Sequence, residues 1–184
     1  MSASSASAGI VSAEPVSAVD LLFPDFAAEH AATRRLLARV PEGKGDWRPH
    51  EWSTPLYQLA THVADIPNRG VSILTTDEMD ATTRVARAPL TTAAELLAAH
   101  DSSVAALDAA LAGASLADLE REWQIRRGDQ IVIRGKRREL LRTVMMSHLI
   151  HHRAQLGVYL RLLGVPIPGM YGPSADDIAG RAKP

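Results

Sequence analysis

The run from Arg138 to Leu163 constrains this chain more than any other stretch. It contains no proline, its apolar residues return with a helical period, and Gly164 follows as a stop. At about 1.5 Å per residue such a helix is about 40 Å long, so the other elements must pack along a rod of that length. On a wheel of about 100° per residue, His148 and His152 lie about 40° apart and straddle the centre of an apolar stripe that also carries Leu141, Met145, Tyr159 and Leu163. His151 falls at the edge of the stripe. Glu139, Arg142, Arg153 and Arg161 point away from it. Met146, Ile150 and Gly157 also lie on the far side, where a solvated back would not need them. That pattern predicts a second buried surface, made by another helix or by a dimer partner.

The remaining elements are helical too. Val19 to Val40 carries helical spacing, with Pro24 near its start, where proline is tolerated. PEGKGDWRPHEWS reads as a loop. Ser53 is the expected N-cap of a second helix, with Pro55 in its first turn. Leu59, His62, Ile66 and Ile73 then share one face, and Pro67 should kink or end the helix near Ile66. A third helix should start near Thr92, with Glu95 completing a capping box, and stop before Gly113. Between Trp123 and Arg134, β-branched residues flank Gly128-Asp129, which predicts a small β-hairpin. Four long helices and a hairpin suggest an all-α fold, a four-helix bundle with a small β-hairpin before the last long helix. Residues 1–17 read as a flexible Ser/Ala leader. Residues 18–184 read as a single domain ending in a loop or tail rich in proline and glycine.

Composition excludes several chemistries. There is no cysteine, so disulfides, zinc–thiolate sites and a catalytic Cys are ruled out, and any thiol must come from outside. The net charge of −1 gives no general bias toward nucleic acid or anionic membranes. Arg121, Arg126, Arg127, Arg134, Lys136, Arg137, Arg138 and Arg142 form a local basic run, read as a solvated hairpin and helix start, with a site for an anionic substrate or a phosphate backbone as the alternative. No apolar run is long enough for a membrane span, and nothing reads as a signal peptide, so the expected location is the cytoplasm.

The seven histidines are not equivalent. His148 and His152, at i and i+4, stack on one helix face and can reach a single ion. Two core histidines hydrogen-bonded to neighbours or water would explain the same pair, because an unpaired buried ring nitrogen costs a few kcal/mol. His62 faces inward on the second helix and offers a third nitrogen. Three neutral imidazoles with an open fourth position are the layout of a catalytic metal site rather than a closed structural one. His30 is a candidate ligand or a group behind one. His100 looks solvated, and His50 could approach the site mouth. Gln155 faces inward and could hydrogen-bond a ligand imidazole. Tyr159 could line the pocket or belong to the core, and Asp65 could orient a ligand or be solvated. Arg153 is assigned a salt bridge or a dimer contact.

HLIHHRAQLGVYLRLLG and LYQLATHVADIP closely resemble the signature segments of the DinB-like superfamily, which includes damage-inducible proteins and mycothiol- or bacillithiol-dependent enzymes. P-I-P-G-M-Y-G-P-S-A-D-D resembles the C-terminal segment of one uncharacterised branch. The resemblance covers about residues 18–177. It implies an up-down-down-up four-helix bundle and a divalent metal held by His62, His148 and His152. It also implies a dimer, as in many members, and in some members transfer of a low-molecular-weight thiol onto an electrophile. Ala154 departs from the glycine common in the family.

These readings converge on a metal-dependent enzyme acting on a small molecule, a low-molecular-weight-thiol S-transferase or a hydrolase. Zn or Ni is the expected metal, with Fe, Co or Mn as alternatives. A non-catalytic metal-binding stress-response module is the competing reading. Nucleic-acid binding is weakest, since no aromatics interleave the basic run.

Overall fold

The structure is a computed structural model that describes residues 22–83 and 88–181. The proposed leader at 1–17 lies outside the described residues. The chain is helix-rich with a three-stranded sheet. α1 spans Phe26–Leu37, α2 Leu56–Asp65, α3 Pro67–Thr75 and α4 Ala93–Ala112; the short α5 covers Leu116–Glu120. Strands β1 (Glu78–Asp80), β2 (Glu122–Arg127) and β3 (Gln130–Lys136) form the sheet. The last long helix begins as α6 (Arg137–Leu140), widens into a π-helical segment (Leu141–Ser147) and continues as α7 (His148–Leu162). A one-turn α8 (Ala175–Ile178) follows.

Local chemistry explains most boundaries. The chain enters α1 just past Pro24. In α4, Glu95 N–H donates to Thr92 Oγ1 and Thr92 N–H donates to Glu95 Oε2, both halves of the expected capping box. Ser53, expected to cap α2, does not. The N–H groups of Leu56 and Tyr57 are instead taken by the carbonyls of Trp47 and Gly45, at 2.9 and 3.2 Å, so loop backbone replaces the side-chain cap. Pro67 opens α3 at its first position while Ile66 keeps helical dihedrals, so the chain changes helix without leaving helical geometry. Arg137 is buried and caps the far end of α3, donating to the carbonyls of Leu74 and Thr76.

The hairpin forms where expected, with Gly128 at φ +58° in the turn. Trp123 and Ile125 face the core and alternate with exposed or half-buried polar residues. β1, not foreseen in the sequence, adds in parallel to β2. The basic run is mostly neutralised across this sheet. Arg126 pairs with Glu78 and Asp80, Arg134 with Glu122, Arg121 with Asp77, and Lys136 and Arg138 with Glu120.

α2 and α3 pack on α4, α1 bridges α4 and α7, and α2 lies along α7. One core runs through these contacts, from Phe23 to Leu160. Among the described residues no helix is long and apolar enough to cross a membrane.

Candidate metal centre

α2 and α7 lie side by side, and each presents histidine beside its buried stripe. On α2 the buried residues are Leu56, Leu59, Ala60, Thr61, Val63 and Ala64, with His62 half-buried among them. On α7 the buried residues are Leu149, Arg153, Leu156, Tyr159 and Leu160. His148 and His152 are half-buried on the flank of this stripe rather than at its centre, which corrects the wheel. Within α7 the buried Leu149, Leu156, Leu160 and Arg153 lie about 80–140° round from His148, so the stripe is centred past the histidines, and the π-helical segment before it separately rotates Leu141 and Met145.

The three imidazoles converge. Ring centroids stand 5.1 Å apart for His62 and His148, 4.7 Å for His62 and His152, and 4.4 Å for His148 and His152. Each ring offers one nitrogen, and these atoms lie within 4.8 Å of one another. His62 Nε2 and His148 Nε2 are 2.9 Å apart. Two lone pairs aimed at each other at that distance repel, so one ring must donate a proton or both must share a cation. His152 Nδ1 lies 2.9 Å from Gln155 Oε1. An amide oxygen only accepts, so Nδ1 carries the hydrogen and Nε2 keeps its lone pair. The donor set is therefore all-nitrogen, half-buried and free of carboxylates. These three histidines could hold a metal ion, and the residues present suit one of borderline softness.

The other candidates lie elsewhere or play other parts. His151 is exposed; its ring sits 4.8 Å from that of His152, but it is outside the converging group. His30 is buried on α1 against Phe26 and His100, with ring centroids at 4.3 and 5.5 Å, and is not a member of that group. His100, expected to be solvated, is 1% exposed. α4 turns its Leu96, His100, Ser103 and Leu107 inward together, a stripe that the polar residues after His100 conceal. Burial lowers the pKa of both rings, to about 3 for His30, so both are neutral. His50 Nδ1 accepts from the Trp52 N–H at 3.2 Å in the loop before α2. Asp65 accepts from Asn68. Tyr159 is buried with its ring edge-on to Trp47, and its hydroxyl has no hydrogen-bond partner among the described residues.

Arg153 turns away from the histidines but into the protein, not out of it. It is 2% exposed and pairs with Glu29 at 2.7 Å. It also donates to the Glu29 carbonyl and to the Tyr171 hydroxyl, at 2.9 and 2.6 Å. The far face of the last helix is thus covered within the chain. Met146 is fully buried, Ile150 packs on the core, and Leu36 of α1 lies opposite Gly157.

Comparison with known proteins bears on the whole chain. A family model described as the DinB family matches residues 14–183. No curated protein matches. Among solved structures, the crystal structure of a DinB-like protein from Bacillus subtilis superposes with a TM-score of 0.63 at 18% identity. The match covers 84% of this chain and 99% of that one.

Proposed function

The chain belongs to the DinB family, and from that premise we propose that it is a divalent-metal-dependent enzyme acting on a small molecule. The reaction is transfer of a low-molecular-weight thiol or hydrolysis, with His62, His148 and His152 as the metal ligands. The observation that carries this reading is the convergence of three ring nitrogens from two helices on one point, with no carboxylate among them. Zn or Ni suits that donor set best, with Fe, Co or Mn behind them. Held by these three rings, such an ion would lower the pKa of a water or thiol bound to it.

The chain's own residues then do the rest. Gln155 holds His152 in the Nδ1–H tautomer and points its Nε2 at the shared point. Tyr159, on the same helix face two turns on from His152, carries a buried hydroxyl with no hydrogen-bond partner among the described residues. The Trp47 ring packs edge-on against that of Tyr159, with centroids 5.7 Å apart. With no cysteine in the chain, a thiol nucleophile is a co-substrate.

The same reading takes residues 18–184 as one domain, the four long helical stretches as an up-down-down-up bundle, the cytoplasm as the location and a homodimer as the assembly. Burial of Met146 within the chain removes one argument for that dimer, and sedimentation of the untagged protein tests the assembly directly. A non-catalytic metal-binding module is the second reading, favoured if the fourth position is closed.

The test is elemental analysis of untagged protein. About one equivalent of metal is expected in the parent, lost in His152→Ala and kept in His151→Ala. An added small thiol should perturb the spectrum of a Co- or Ni-substituted site. Absence of metal after reconstitution would sink the enzyme reading, and a thiol-inert site would favour the module.

A further inference from the structure

Past Gly164, where a φ of +73° turns the chain out of α7, residues 166–181 fold back against α1 and α7. The segment has a framework of its own. Ile167 N–H donates to Asp176 Oδ2 at 3.0 Å, and the N–H groups of Gly169 and Ser174 donate to Asp177 Oδ2 at 2.7 and 2.8 Å. Ser174 Oγ donates to the Ile167 carbonyl at 2.7 Å, and Arg181 pairs with Asp176 at 2.6 Å.

Its attachment to the rest of the molecule is different in kind. Among the described residues the buried apolar core ends at Leu160, and the only buried residues after it are Pro168 and Asp176. Ile167 and Met170 pack on that core but stay half-buried. Polar ties reach across instead. Arg35 donates to the Gly169 carbonyl at 3.3 Å. The Tyr171 hydroxyl donates to Glu29 at 3.1 Å and accepts from Arg153 at 2.6 Å. Arg161, 42% exposed, pairs at 2.5 Å with the fully buried Asp176. The segment is also undercut on both flanks. A recess of about 310 Å³ separates it from Gly157 and Val158 of α7, and one of about 590 Å³ from Arg34 and Arg35 of α1; Pro168 lines both. Side chains that border a void lose the dispersion contacts a filled interface would give them.

We propose that residues 166–181 are a clasp that opens as one unit while the helices stay packed, and that the Arg161–Asp176 pair and the Tyr171 hydroxyl hold it shut. A unit with few buried apolar contacts and a few polar ties sits at the low-stability end of a fold. Once released it has no means of staying ordered, because a one-turn helix such as α8 does not survive alone. Release from α1 and α7 and loss of the internal bonds are therefore a single event, and the side of α7 at Gly157 and Val158 is uncovered by it.

Native-state amide hydrogen exchange of the full chain, followed by NMR in sub-denaturing urea, tests this. The amides of Ile167, Gly169 and Ser174 should share one opening constant, at least about a hundredfold larger than that of Leu149 and Leu156 in α7. Urea should change it little, and should raise exchange at Leu149 and Leu156 steeply. Arg161→Gln should raise the shared constant at least about tenfold, and Tyr171→Phe at least about fivefold. Leu107→Ala, in the core beneath α4, should speed exchange at Leu149 and Leu156 and leave the clasp amides within about twofold. If Leu107→Ala does not fold, the contrast in urea dependence makes the same distinction. Clasp amides as protected as those of α7, unrelated opening constants among them, or an Arg161→Gln effect confined to Ile167 would each overturn the proposal.

Discussion

Arg153 shows what a single residue can conceal. It adjoins the histidines in sequence, yet it serves an ion pair with Glu29 in which both side chains are nearly inaccessible. Removing one partner of such a pair strands the other, so Arg153→Ala should cost about 3–5 kcal/mol in denaturant unfolding. Replacing both, as Arg153→Met with Glu29→Leu, should cost less than the single change. A single-variant loss within about 1 kcal/mol would show that water reaches Glu29. His30 offers a second test. Its folded pKa, about 3, lies below the ordinary 6.5 because the ring is buried beside His100 and Arg153. The unfolded chain thus binds more protons between those values, and stability falls as pH drops from about 6.5 toward 3. At pH 5 the contribution of His30 to that loss is about 2 kcal/mol. His30→Leu should flatten the decline. An unchanged pH profile in that variant would place the acid sensitivity elsewhere, His100 being the next group shifted the same way.

At the scale of elements, boundaries were readable wherever a local rule acts alone. The Thr92–Glu95 box, the turn at Gly128 and the stop at Gly164, with φ +73°, all depend on neighbours within a few residues. They were hidden wherever a distant partner supplies the hydrogen bonds. Ser53 loses its capping role to carbonyls of the preceding loop. β1 is three residues of Glu-Met-Asp with no strand pattern, and it exists because Arg126 reaches Glu78 and Asp80. The π-helical segment belongs here too. Leu141, Met145, Leu149 and Arg153 recur every fourth residue and are all buried. In an α-helix each such step drifts about 40°, and slower winding over Leu141–Ser147 keeps them on one side. Close approach of α3 and α4 depends on Gly70, where a Cβ would stand 2.6 Å from Leu107 Cδ1. Gly70→Ala should therefore destabilise the protein by about 1–3 kcal/mol despite its better helix propensity. A raised melting temperature would show that Leu107 can move aside.

Over the whole molecule, the sequence by itself determined the helical class, the hairpin and the histidine pair on the last helix. Each rests on periodicity or spacing within one segment, and such patterns survive any arrangement of the rest. It also singled out His62, through its inward face, but not its distance from the pair. Only the packing of α2 along α7 brings three ring nitrogens to within 4.8 Å, leaves His30 outside the group and buries His100 instead of exposing it. The tertiary structure likewise decided what Arg153 pairs with and which face of the last helix is covered. Those outcomes depend on the phase of one helix against another, and a seven-residue π segment shifts that phase without leaving a mark that an α-helical wheel can detect.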